Sequence, residues 1–318
     1  MCYKLSSLKI INSKKNSFKT KTVVTIGTFD GVHIGHQKII QRLINSARNA
    51  NLNSVILTFF PHPRMVLQKD ANLKLINTLE EKANILDNLG LDYLVIKEFT
   101  NEFSRLSAKD FVSKTLIDEL NAKKVIIGYD HHFGRNRSAN IDDLKAFGLT
   151  HSFEVEEISA QDINNVAISS TKIREALRDG NIETANQYLG YNYMITGEII
   201  KGKKLGRQIS FPTANLFVKE NYKLIPRYGA YIISSEIENK RVFGMMNIGL
   251  NPTVDGKKEN LEIHFFDFDK DLYGETIQVD LLHRIRDEQK FESVNELSLQ
   301  LKKDKETALN YIKSHYAK

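Results

Sequence analysis

Gly27-Thr28-Phe29-Asp30-Gly31-Val32-His33-Ile34-Gly35-His36 is the stretch whose reading decides the fold. Ahead of it, Val23-Val24-Thr25-Ile26 reads as a short buried strand. Behind it, Gln37 to Ala50 places Ile39, Ile40, Leu43, Ile44 and Ala47 at helical spacing. A strand, a glycine-spaced turn and a helix start together form an anion site, because backbone N–H groups and the positive end of the helix dipole converge there. His33 and His36 lie three residues apart, so they share one face of the first turn and can meet a phosphate together. The same pair at a turn would also suit a metal, but no Cys or carboxylate cluster at ligand spacing accompanies it.

Working outward, the first half alternates short apolar strands with amphipathic helices. Strands are expected at 23–26, 54–59, 93–96, 125–127 and 153–158, and helices at 37–50, 79–89, 108–120 and 141–147. That alternation predicts an α/β doubly wound, mostly parallel sheet covered on both faces. Ligands of such sheets bind beyond the carboxyl ends of the strands, which is where the histidine turn falls. A helical segment over 170–188 leads through Gly190 into a different texture. Strands then dominate, at 194–200, 230–236, 241–248, 261–266 and 276–282, with a closing helix from about Ser293. Successive strands without intervening helices predict an antiparallel β-barrel. Two domains are expected, residues 1–187 and 188–318.

Far downstream of the histidines stands Ile168-Ser169-Ser170-Thr171-Lys172-Ile173-Arg174, with three hydroxyls at a helix start and two cations for phosphates. The histidine stretch resembles the HxGH signature of the nucleotidyltransferase superfamily, and the second stretch resembles its partner motif. Together they are similar to the adenylyltransferase half of prokaryotic bifunctional riboflavin kinase/FMN adenylyltransferases, the FAD synthetases. The second half carries its own signature. Gly197-Glu198-Ile199-Ile200-Lys201-Gly202 leads through Gly206-Arg207 to Phe211-Pro212-Thr213-Ala214-Asn215, which resembles the GxVxxGxxxGRxxGFPTAN motif of riboflavin kinases. Pro226–Tyr231, Asn247–Thr253, Glu262–Phe268, Asp271–Gly274 and Arg284–Arg286 match the same family. Departures are Ser210 and Ala230 in the second half, and His131 and Ser138 in the first, where the family usually carries Gly, Val, an aromatic residue and Gly.

The resemblance implies roles. His33 and His36 would stabilise charge on the α-phosphate of ATP, with Gly27, Phe29, Gly35, Ser169, Thr171 and Arg174 around the same nucleotide. Phe59, Pro61, Arg64 and Asp130 would contact flavin or its phosphate, although Phe59 and Phe60 suit a core position equally well. In the second half Gly202, Lys204 and Gly206 would cover phosphate, where a Gly-Lys loop read from spacing alone is as readily a polar hairpin. Thr213 and Asn215, at i and i+2 of an extended segment, offer hard oxygens to Mg²⁺-ATP. Glu262 alternates with Leu261, Ile263 and Phe265 and so points away from an apolar face; on spacing alone it is an ordinary strand carboxylate. The resemblance makes it the base for the riboflavin 5′-hydroxyl. His264, on the same side, is read as a packing or hydrogen-bonded support residue.

Bulk properties bound the remaining classes. The 318 residues are 41% hydrophobic and 26% charged, with a net charge of +6 and a single cysteine, Cys2. The chain reads as a cytoplasmic enzyme with no disulfide framework and no membrane span. Its lysines are scattered, as on a solvated face, and also serve anionic small-molecule substrates such as ATP and FMN; no nucleic-acid motif accompanies them. A monomer or weak homo-oligomer is expected. The competing readings are a nucleotidyltransferase for another acceptor, which would lack the second-half blocks, and a catalytically impaired flavin- or nucleotide-binding protein, which predicts damage at the charged positions.

Overall fold

The computed structural model describes residues 8–12, 17–68, 72–128, 132–159, 168–201, 211–253 and 256–316. Two compact units emerge: one takes residues up to Leu75 and Leu79–Ser169, the other Ile76–Thr78 and everything from Ser170.

The first unit is built on a six-stranded parallel sheet. Its strands are β1 (Lys9–Asn12), β2 (Thr22–Ile26), β3 (Asn53–Phe60), β4 (Tyr93–Glu98), β5 (Ala122–Gly128) and β6 (Glu154–Ile158), in spatial order β1-β4-β3-β2-β5-β6. The helices are α1 (Ile34–Asn49), the short α2 (Pro63–Leu67), α3 (Leu79–Leu89), α4 (Ala108–Asp110) and α5 (Ile141–His151). From β2 the chain winds outward through β3 to β4, then returns to lay β5 on the other flank of β2. The winding direction reverses there, so the ligand crevice belongs at the carboxyl ends of β2 and β5.

Two apolar layers explain the continuous burial of the central strands. Val24, Ile26, Val55, Leu57, Val125 and Ile127 pack under Phe111, Val112 and Leu116, while Val23, Ile56, Leu94 and Ile126 pack under Ile40, Leu43, Ile44 and Leu86. Every residue of β2 is therefore buried, as a sheet covered on both faces requires.

The second unit begins with α6 (Ser170–Asp179) and α7 (Ile182–Leu189). One helix over 170–188 was the sequence expectation; the structure breaks it at Gly180, whose φ of +79° ends α6, and Asn181 caps α7 by accepting from the Thr184 N–H at 3.2 Å. Then β7 (Met194–Ile200), β8 (Ala214–Phe217), β9 (Gly229–Ile237), β10 (Lys240–Thr253), β11 (Gly256–Phe265) and β12 (Thr276–Asp287) close an antiparallel barrel in the order β10-β11-β8-β7-β12-β9. The closing helix α8 (Val294–Tyr316) covers one flank, where Ala308 meets Phe211, Ile232, Met245, Phe266 and Leu282. Arg286 on β12 grips the buried Asp304 of α8 through Nε at 3.0 Å and Nη2 at 2.7 Å. A two-pronged guanidinium–carboxylate contact of this kind fixes orientation as well as distance.

Three further departures from the sequence reading have local causes. The segment after α4 continues as a π-helix over Phe111–Glu119 rather than as plain α-helix. Strands β1 and β8 have four residues each, too short to show a period.

Candidate active site

The histidine turn lies directly beyond the carboxyl end of β2. The Gly27 N–H still follows the sheet, donating to Leu57 O at 3.0 Å. The backbone then enters the left-handed region at Phe29 (φ +45°), Gly31 (φ +85°) and Val32 (φ +35°) before α1 begins. For Phe and Val such torsions are strained, and strain of this kind persists where surrounding structure over-determines it. Packing supplies the restraint: Phe29 and Val32 are buried at 4% and 0% exposure. A side chain at Gly27 would put its Cβ 2.9 Å from the Phe29 ring, so only glycine admits the ring there.

His33 is the N-cap of α1, and its Nδ1 accepts from the His36 N–H at 3.3 Å. That hydrogen bond places the proton of the neutral imidazole on Nε2. The His36 ring stacks on it with centroids 3.6 Å apart and planes 17° from parallel, while Phe29 meets His36 edge-on at 5.2 Å. Burial lowers the pKa of His33 to about 4. His36 is held well below the ordinary imidazole value, first by burial and then by the nearby His33 and Lys82. Both rings are neutral at pH 7. Among the described residues, the shielded His36 Nδ1 has no hydrogen-bond partner.

The other sequence candidates of this half divide by location. Phe59, at the end of β3, sits among aromatics, 5.7 Å from the Phe99 ring and 5.5 Å from Phe103. Pro61 and Arg64 are exposed at the start of α2, where His62 serves as the cap, Nδ1 accepting from the Arg64 N–H at 3.1 Å. Ser169 precedes α6; Thr171 is exposed on its first turn, and Arg174 is buried. Asp130 lies outside the described residues, two positions past the end of β5.

In the barrel, strand pairing assembles what sequence separation hides. Glu262 on β11 pairs with Asn215 on β8 and with Asn247 on β10, so the three occupy one row across neighbouring strands. Its neighbours Leu261 and Ile263 are buried at 4% and 1%, which leaves Glu262 on the opposite face, as alternation predicted. Asn260 Nδ2 donates to Glu262 Oε1 at 2.7 Å and orients the carboxylate. His264 proves to be a support residue: its Nδ1 bonds Pro212 O at 2.9 Å and its ring lies between Phe211 and Phe266. It thereby fixes the Phe211–Asn215 segment that carries Thr213. Thr213 also lines a cleft of about 270 Å³ with Pro212, Phe268, Asp269, Asp271 and Tyr273. Gly202, Lys204 and Gly206 lie outside the described residues.

Sequence reasoning passed over Lys82, Asp30 and Asn247. Lys82 was legible: in Leu79-Glu80-Glu81-Lys82-Ala83-Asn84-Ile85-Leu86-Asp87-Asn88-Leu89 it falls on the apolar stripe with Leu79, Leu86 and Leu89, an unusual place for a lysine. Asn247 needed the barrel register, which no local pattern supplies.

A nucleotide-binding sheet joined to a kinase-type barrel is the class that these features define. The FAD synthetase family matches residues 15–172 and the riboflavin kinase family residues 189–312. Bifunctional riboflavin kinase/FMN adenylyltransferases are similar along the whole chain. That of Buchnera aphidicola from Acyrthosiphon pisum is 36% identical over 97% of this chain and 99% of its own length, and that of Bacillus subtilis is 38% identical over 92% and 93%. That of Escherichia coli K12 is 36% identical over 91% and 92%. A solved structure described as a macrolide-efflux protein from Streptococcus pneumoniae superposes with a TM-score of 0.85 at 34% identity, covering 96% of this chain and 99% of that one. Among the described residues of this chain, no helix is long and apolar enough to cross a membrane. The chain belongs to the bifunctional riboflavin kinase/FMN adenylyltransferase family.

Proposed function

We propose that the chain makes FAD from riboflavin in two steps, at two separate sites. The barrel transfers the γ-phosphoryl of ATP to the riboflavin 5′-hydroxyl, giving FMN and ADP. The first half then lets an oxygen of the FMN phosphate attack the α-phosphorus of a second ATP; the new P–O bond forms as the bond to pyrophosphate breaks. The observation that carries the reading is the intactness of both sets of chemistry-bearing residues within one chain: His33 and His36 stacked at the switch point, and Glu262 in register with Asn215.

In the kinase step Glu262, oriented by Asn260, takes the hydroxyl proton as the oxygen attacks. Thr213 and Asn215 would hold Mg²⁺. Two neutral oxygens beside a single carboxylate suit an ion that arrives with nucleotide phosphates rather than one caged by protein, and among the described residues no group of three His, Cys, Asp or Glu forms such a cage. Bound Mg²⁺ would neutralise phosphate charge. Gly202, Lys204 and Gly206 would cover the same phosphates.

In the adenylyl step the attacking phosphate is already anionic, so no base is needed. The His33 Nε2–H, aimed by the cap hydrogen bond, donates to oxygen on the α-phosphate as charge builds there, with His36 stacked beside it. Gly27, Phe29 and Gly35 shape the turn around the nucleotide, and Ser169, Thr171 and Arg174 supply hydroxyl and guanidinium contacts to its phosphates. Phe59, Pro61, Arg64 and Asp130 are assigned to the flavin side. Residues 1–187 and 188–318 are taken as the two functional halves, a division supported by the family matches ending at 172 and resuming at 189. The working setting is a cytoplasmic monomer or weak homo-oligomer without nucleic acid.

The test is a chromatographic time course with riboflavin, ATP and Mg²⁺. FAD appearing after an FMN intermediate is the expected result. FMN alone would restrict the function to the kinase. No conversion under aerobic or reducing conditions would leave a binding protein.

A further inference from the structure

Among the described residues of the first unit, Lys82 is the one lysine or arginine that packing has buried, and it has no assigned task. It stands on α3 at 4% exposure, and its Nζ donates to Thr28 O at 2.7 Å. The same carbonyl accepts from Thr58 Oγ1 at 3.2 Å. Thr28 immediately precedes Phe29, where the chain first enters the left-handed region. In a trans peptide the carbonyl and the following N–H point in opposite directions. Two donors holding Thr28 O therefore turn the Phe29 N–H away from α3. Among the described residues, the buried ionisable groups around Lys82 are Asp30, Glu81 and His33, with His36 half-buried beside them, and Asp30 acts on Lys82 as the nearby opposite charge.

We infer that Lys82 is a positioning residue for adenylyl transfer: it holds the Thr28 carbonyl from beneath the turn and lends a buried positive charge to the His33–His36 pair. This deepens the adenylyltransferase reading and rests on it. A fixed ammonium in a low-dielectric interior acts over several ångströms with little screening. Burial first, then His33 and Lys82, lower the pKa of His36, and burial lowers that of Lys82 itself, offset in part by Asp30. The result is a neutral imidazole pair backed by a buried amine fixed on the Thr28 carbonyl. Such a site meets the developing phosphate charge without a proton uptake step, which is what preorganised stabilisation requires.

The experiment uses the full chain, comparing Lys82→Met, Lys82→Arg and the double variant Asp30→Asn/Lys82→Met, which removes both buried charges where the single variant fails to fold. The readouts are NMR titration of the His33 and His36 rings and the kcat of FMN adenylylation. In Lys82→Met, and in the double variant if it is the one that folds, the His36 midpoint moves up toward the ordinary imidazole value. The kcat falls between about tenfold and a hundredfold, as for a misplaced reacting group. Lys82→Arg restores most of both. An unmoved His36 midpoint in a folded variant lacking the charge overturns the electrostatic role, and an unchanged kcat overturns the positioning role. A wild-type chain that makes no FAD from FMN overturns the proposed function instead, and the titration separates that failure from a failure of Lys82.

Discussion

The two candidate sites of this chain are built by opposite means. In the first unit the histidine pair and the turn that presents it sit in consecutive sequence, and the difficulty lies in backbone torsion. Phe29, Gly31 and Val32 occupy the left-handed region within four residues, and buried packing holds them there. In the barrel no torsion is unusual at Glu262; its neighbours stand on other strands, Asn215 on β8 far upstream and Asn247 on the preceding β10, and only register brings the three into one row. A turn-built site is compact in sequence and sensitive to its local backbone. A register-built site tolerates local change but fails when strands cannot approach. The electrostatics differ as well: the histidines, His33 buried and His36 half-buried, are neutral, whereas Glu262 faces away from its buried strand neighbours beside a side-chain amide.

Single substitutions break this comparison most sharply. Glu262→Gln removes the proton acceptor and keeps the row of side chains, so riboflavin phosphorylation falls by about 10²–10⁴ in kcat while FMN adenylylation continues, read by separate assays of each step. His36→Ala does the reverse: FAD formation from FMN falls by about 10²–10³, and FMN accumulates from riboflavin.

Acid sharpens the contrast without mutation. The pKa of His33 is about 4 in the folded chain against the ordinary 6.5, so the unfolded state binds more protons between these values. Stability of the first unit is therefore fully retained above pH 6.5 and falls as the pH drops toward 4, by on the order of 3 kcal/mol from this group. Urea unfolding of the first unit across that range checks it, and His33→Asn flattens the dependence. Register is probed by Gly244→Ala. The added Cβ would stand 2.4 Å from the His264 backbone oxygen, so β10 and β11 must separate locally. A loss of about 1–3 kcal/mol in barrel stability follows, measured by thermal unfolding, with the histidine turn unaffected.

Much of this organisation was legible before the structure. The turn, the flanking strand and α1 could be read because glycines, apolar spacing and histidines fall within twenty-odd residues of one another, and α3 and β7 match their predicted bounds residue for residue. Glu262 was legible through strand alternation. Features that depend on distant partners were not. Strand β8 has only four residues, and nothing local marks Asn247 as a neighbour of Glu262. The pairing of Arg286 with Asp304 joins a barrel strand to a terminal helix, and a buried aspartate on a charged helix looks like any solvated one. Gly180 hid a helix break because a lone glycine within a helical pattern is often tolerated.

Two separate sites, one for each activity, are proposed to share FMN as the product of one and the substrate of the other. Mixing the Glu262→Gln and His36→Ala proteins with riboflavin, ATP and Mg²⁺ tests this most directly. Neither variant alone makes FAD from riboflavin, and the mixture does, with FMN rising first. FAD from either variant alone at the wild-type rate, or a mixture that stops at FMN, would contradict the account.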